Sequence, residues 1–359
     1  MLELIRSADS ELDRKPSATG DRLEKQPPKN KIWKTIAKLL FSIVVLYFLF
    51  RKCDWQALLF IIKTANVPFV IAAIVAMQIA HVIAAVRWNL LCKKSSFILL
   101  LKMVFVSRLY TTILPGQLFG EAAKLFHVKR SSPNLSTQEI TTSVIVDKIV
   151  GLVGLLLVGI FGVFMSNKLP SGEMAFWFAV CVFALGVCLA IPAIPVVSRL
   201  ISAILDAIAK HSEKSAKLVS KLRLFLVSWQ SYMRTPLVLV ATVLIGVVFQ
   251  AILAASMYYL GCSVSVQVPF ADWCWIFAIL SVALLLPISF AGLGVRETTL
   301  VGFLSIFGVS NELALSISLL ALFIQIIDAV IGGVILLLDR SMLKNTSLES
   351  EAEIATAEP

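Results

Sequence analysis

Charge is scarce in this sequence. Only 15% of its 359 residues are Asp, Glu, Lys or Arg, 58% are hydrophobic, and the mean hydropathy is +0.90. A soluble domain carries about a quarter charged residues, so this balance implies a chain that crosses a bilayer repeatedly. Signatures of catalysis and of cofactor binding are missing too. There is no Walker loop, no GxSxG, no HExxH and no dinucleotide fingerprint. The six cysteines (Cys53, Cys92, Cys181, Cys188, Cys262 and Cys274) show no zinc or redox spacing and read as small core hydrophobes. His81, His127 and His211 are isolated. No cofactor, no metal and no catalytic residue is therefore expected. Residues 1–31 lack the apolar run of a signal peptide and read as a disordered tail, as does the acidic stretch 341–359.

What is there is hydrocarbon-length segments. A spanning helix needs about 20 mainly apolar residues. Six stretches qualify, at 32–50, 67–92, 140–165, 174–198, 236–262 and 312–338. Two more, 97–127 and 270–308, are interrupted by a proline followed by glycines: LPGQLFGEAAK in the first and LPISFAGLGVRE in the second. If both turn back to the side they came from, and both tails are cytoplasmic, 26 of the 32 lysines and arginines fall on the inner side. That obeys the positive-inside rule and explains the net charge of +10 without nucleic acid. The tryptophans then sort to two belts, Trp33, Trp88 and Trp229 inside, Trp55, Trp177, Trp273 and Trp275 outside.

The fold class expected is an all-α polytopic membrane protein, about six full spans plus two re-entrant helical hairpins in an inverted repeat. The repeats run from about 67 to 165 and from about 236 to 338. Between them, 199–235 alternates apolar residues with Lys210, Lys214, Lys217, Lys221 and Arg223, an amphipathic helix for an anionic inner leaflet.

Non-helical backbone at bilayer depth survives only when buried in protein or facing a wet cavity. Pro115 and Pro287 end the first leg of each hairpin. Gly116 and Gly120, then Gly292 and Gly294, let the chain reverse. The second legs begin with free N–H groups suited to a phosphate or carboxylate. Charges gather there: Glu121 and Lys124 on one leg, Arg296 and Glu297 on the other, with Asp147, Lys148 and Asp328 inside spans. Each costs about 2.5–3.5 kcal/mol at bilayer centre and so needs a partner or water. Lys124–Asp147 and Arg296–Glu297 or Arg296–Asp328 could equally be structural pairs. His81 reads as a core residue, and Lys102 and Arg108 as snorkelling to the inner surface.

The motifs RWNLL (87–91), LPGQLFGEAAK (114–124), DKIVGL (147–152) and PISFAGLGVRE (287–297) together resemble the flippase-like family typified by the transmembrane region of lysyl-phosphatidylglycerol synthase/flippase proteins. The resemblance covers about residues 32–340 and implies movement of lipids or lipid-linked precursors between leaflets. It puts the family's acidic and basic positions on Glu121, Lys124, Asp147 and Lys148, and its Gly-x-Gly-x-Arg-Glu on Gly292, Gly294, Arg296 and Glu297. Departures occur at Phe119, Glu121 and Lys124, where the family has glycine, aspartate and arginine. The chain stops after its acidic tail, so no soluble aminoacyl-transferring domain is expected.

The expected function is thus a lipid translocase of the cytoplasmic (inner) membrane, not an enzyme. Its expected partner is a phospholipid or a polyprenyl-phosphate-linked lipid, with homo-oligomerisation left open. A non-transporting scaffold for envelope or glycan assembly, or a membrane enzyme acting on lipid phosphates, are the alternatives.

Overall fold

The computed structural model describes residues 55–113, 118–132, 135–166, 219, 235–285 and 292–339. Among them the chain is helical, without strands: α1 Trp55–Thr64, α2 Val67–Leu91, α3 Phe97–Ile113, α4 Leu118–Ser131, α5 Thr137–Met165, α6 Pro236–Ser263, α7 Phe270–Leu285, α8 Val295–Leu304 and α9 Asn311–Leu338. One 3-10 turn, Ser305–Phe307, follows α8. Four helices, α2, α5, α6 and α9, are long and apolar enough to cross a membrane. They coincide with the spans expected at 67–92, 140–165, 236–262 and 312–338. The expected spans 32–50 and 174–198, both tails and, but for Val219 and Thr235, the linker 199–235 lie outside the described residues.

Local chemistry sets the helix starts. Pro68 and Pro236 occupy first-turn positions, where the missing N–H costs nothing. Ser136 accepts from the Glu139 amide while the Glu139 carboxylate reaches back, a capping box that starts α5 at Thr137. Ser310 caps α9 through the Leu313 amide.

Both interrupted stretches break into two helices that fold against each other. Gly120 lets α4 lie directly on Ser107 and Thr111 of α3, and Tyr110 sits beside His127. Gly292 lies against Leu284, and Trp275 meets Phe303 edge-on. The pairs open at opposite ends of the bundle, which α5 spans from Glu139 to Ser166. Glu139 pairs with Lys94 at 2.7 Å, just before α3, and Lys102 of α3 pairs with Asp339 at 2.8 Å. Ser166 instead donates to Asp272, at the start of α7, at 2.5 Å.

The packing is close to invariant when unit one (α2–α5) is exchanged with unit two (α6–α9). Equivalent helices α2 and α6 run antiparallel, joined by Asn66 N–H to Ser263 O at 2.8 Å and Ser256 Oγ to Ala73 O at 3.0 Å. Helix α5 packs on α7 through Gly162, and α9 packs on α3 through Gly332. The largest difference between counterparts lies at one seam. Helices α5 and α6 touch backbone to backbone at Gly154 and Gly246. Helices α2 and α9 meet over a short stretch, bridged by side chains: Gln78 Nε2 donates to Asp328 Oδ1 at 2.7 Å, and His81 Nε2 lies 2.9 Å from Asp328 Oδ2.

The tryptophan belts need correcting. Trp88, Trp273 and Trp275 are buried in the protein. Trp88 donates to Ser143 and Trp275 to Asp272, internal acceptors that make an indole at home away from the bilayer surface.

Candidate functional site

Unit one carries a chain of ions on three helices. Glu121 of α4 lies between two cations, Lys148 of α5 at 2.7 Å and Lys124, one turn along α4, at 3.2 Å. Lys124 Nζ also stands 5.3 Å from the Trp88 ring. Asp147 turns away from this group. It accepts from Arg87 Nε of α2 at 2.6 Å, so Lys124–Asp147 is not the pair that forms. Consecutive residues on a helix point about 100° apart, and Asp147 and Lys148 accordingly serve different neighbours. The Arg87 guanidinium lies 5.0 Å from the Phe249 ring and beside Gly151 and Gly246, where an added Cβ would touch it at ordinary contact distance.

Unit two is a compact hydrogen-bonded knot. Gly292 and Gly294 take positive φ (79° and 87°), a conformation costly to any residue with a Cβ. Helix α8 then begins, and Glu297 Oε2 accepts the Gly294 N–H at 2.6 Å. The helix start expected to await a ligand is thus partly occupied by its own carboxylate. Glu297 Oε1 accepts from Ser318 Oγ at 2.6 Å and lies 3.3 Å from Arg296 Nη2. Arg296 also donates through Nε to Ser318 at 2.9 Å and through Nη1 to Gln325 at 3.4 Å.

The two units meet through Gln325. Its Nε2 donates at 3.4 Å to Thr112, the penultimate residue of α3. One side chain of α9 therefore touches both the end of the first leg of the first broken stretch and the start of the second leg of the other. Asp328, three residues on and so on the same face, holds Gln78 and His81. Lys124, Asp147, Arg296, Glu297 and Asp328 are all buried, whereas the Lys148 side chain is 51% exposed. Of the turn residues, Gly120, Gly292 and Gly294 are described; Pro115, Gly116 and Pro287 lie outside the described residues.

Sequence reasoning passed over Arg87, Gln78, Ser318 and Gln325. A signal existed for three of them: Gln78 and Gln325 are amides within apolar spans, and Arg87 opens the RWNLL motif. A separate cavity of about 330 Å³ lies at the Lys94 end of the bundle, lined by Leu90, Lys93, Leu135, Glu139, Thr142 and Val238 among others, away from these ions. Among the described residues no three ligating side chains gather as a metal site.

Ions sit inside, and the surface is apolar. Ile71, Val75 and Ile79 of α2, Val240, Leu244 and Val248 of α6, and Ile326, Val330 and Val334 of α9 are exposed. Such faces belong in hydrocarbon, and with four membrane-length helices they define a multi-pass membrane protein. The model of the lysylphosphatidylglycerol synthase TM region matches residues 35–333, and the chain belongs to that family. A UPF0104 membrane protein of Pyrococcus horikoshii is 23% identical over 304 residues, which cover 79% of this chain and 90% of that protein.

Proposed function

We propose that this protein is a lipid translocase of the cytoplasmic membrane that moves the head of a phospholipid or a polyprenyl-phosphate-linked precursor between leaflets. The observation that carries this reading is the Gln325 bridge, 3.4 Å to Thr112 on one side and 3.4 Å to Arg296 on the other. Two broken helices that pool buried ions inside an apolar-faced bundle favour a path for a polar group.

In this reading six full spans surround two re-entrant hairpins, α3–α4 from the cytoplasm and α7–α8 from outside. The units form an inverted repeat, and both termini are cytoplasmic. Lys124 and Arg296 take the lipid phosphate. Glu121, Asp147 and Glu297 orient the cations, and Lys148 offers an exposed ammonium at the edge of the path. The tails stay in the bilayer. Helices α2 and α9 separate at their seam, while direct glycine contacts hold α5 on α6, α5 on α7 and α9 on α3. The side chains bind and orient; no cofactor or catalytic group takes part.

The test is transbilayer movement in reconstituted vesicles, with labelled phospholipids and polyprenyl-phosphate glycans offered separately. At least one should move faster than in protein-free vesicles, and Arg296→Ala should abolish the gain. Movement no faster than in protein-free vesicles, with Arg296→Ala indistinguishable from wild type, would contradict the reading.

A further inference from the structure

Arg108 stands six residues beyond Lys102 on α3, about 9 Å further along the helix. Lys102 reaches the bundle end and Asp339, as a snorkelling cation should. Arg108 does not. Its Nε is buried without a hydrogen-bond partner, and among the described residues no carboxylate pairs with it. It lies instead within electrostatic range of Lys124 and of His81, neither of which can neutralise it. A second buried guanidinium nitrogen, Arg87 Nη1, is also without an acceptor.

Among the described residues the charges near the Gln325 bridge do not balance. With His81 neutral, five cations (Arg87, Arg108, Lys124, Lys148, Arg296) face four carboxylates (Glu121, Asp147, Glu297, Asp328). Arg87, Lys124, Lys148 and Arg296 each pair with Asp147, Glu121 or Glu297, Asp328 bonds the neutral His81 and Gln78, and among the described residues Arg108 is the cation without an ion pair. An unpaired charge at this depth is costly, and a single negative charge would neutralise it. A guanidinium presents a planar fork that matches two oxygens of a phosphate, which an ammonium cannot do.

We infer that Arg108 and Lys124 form a binding subsite for a phosphodiester monoanion, the linkage found in phospholipid heads, with Arg108 as its principal ligand. The inference rests on the lipid-handling reading for its substrate class and narrows it. A diphosphate-linked polyprenyl lipid brings more negative charge than the site lacks and is disfavoured. Arg108 is only half-buried, so the fork need not be uncovered by unfolding to meet a ligand.

The experiment uses the purified full chain in detergent, with melting temperature and native mass spectrometry as readouts. Four probes are offered: phosphatidylglycerol, diacylglycerol with the same chains, soluble glycerophosphoglycerol, and a polyprenyl diphosphate. Phosphatidylglycerol should bind and stabilise best. Glycerophosphoglycerol should bind more weakly through the same arginine, and diacylglycerol should do neither. Arg108→Gln should weaken phosphatidylglycerol binding by about ten-fold or more, with Arg108→Lys in between. The lipid-free melting temperature of Arg108→Gln should equal or exceed that of wild type, a result no structural cation would give. The inference is overturned by unchanged phosphatidylglycerol binding in Arg108→Gln, by equal binding of diacylglycerol, by preference for the diphosphate, or by failure of that variant to fold. Glycerophosphoglycerol binding as tightly as the lipid overturns the assignment to a lipid head and leaves a free phosphodiester. Arg108-dependent binding without transbilayer movement would sustain the subsite and remove the translocase; movement unaffected by Arg108→Gln would do the reverse.

Discussion

Two helix seams occupy equivalent places in the two units and are built in opposite ways. Where α5 meets α6, Gly154 and Gly246 bring backbones into contact, and Gln250 donates to the Gly151 carbonyl at 2.9 Å. Where α9 meets α2, the helices stand apart and long polar side chains cross the gap. Close-packed backbone has no second arrangement within reach, because a glycine seam loses contact as soon as it slides. A bridge of side chains can release one partner and take another. One seam is closed backbone on backbone, and the other is spanned by side chains, where the proposed transport would have α2 and α9 separate.

Removing the ion that braces the closed seam should cost most. Arg87→Ala leaves Asp147 buried without its cation and should destabilise by about 3–5 kcal/mol, read from thermal melting in detergent. Asp147→Ala in the same background should restore part of that loss. Next in size is Gly154→Leu. A Cβ there would lie 2.6 Å from the Gly246 carbonyl carbon, and overpacking of this kind costs about 1–3 kcal/mol where the neighbours can yield at all. A polydisperse size-exclusion profile is the expected sign.

The seam spanned by side chains should answer differently. Asp328→Asn keeps shape and can still bond Gln78, so it should cost only about 1 kcal/mol in melting. Its effect should show instead as slower transbilayer movement. If melting falls as far as in Arg87→Ala, the seams are equivalent and the comparison fails. Smallest of all is Lys94→Ala. The Lys94 side chain is 71% exposed, so its pair with Glu139 should contribute nothing measurable to melting.

Much of the fold was legible because hydrocarbon imposes simple rules. Apolar runs of membrane length mark α2, α5, α6 and α9. Proline followed by glycine marks the places where 97–127 and 270–308 break. What the residues could not reveal was the choice of partner, which depends on how each helix is rotated. Asp147 faces α2 and finds Arg87, while its neighbour Lys148 faces α4 and finds Glu121. Glu297 looked like a ligand-facing acid, yet its spacing from Gly294 lets it cap its own helix. Arg108 looked like a surface cation because its position along α3 permits snorkelling; only its buried Nε places it inside.

The most direct test pairs the two seams in one experiment. In a background freed of native cysteines, Gln78→Cys with Asp328→Cys places thiols across the α2–α9 seam. Gly151→Cys with Gln250→Cys places them across the α5–α6 seam. Each is joined by a short reversible bis-thiol reagent in reconstituted vesicles. Cross-linking the first pair should stop lipid movement and reduction should restore it, while cross-linking the second should leave movement unchanged. Undiminished movement with α2 locked to α9 would contradict the account.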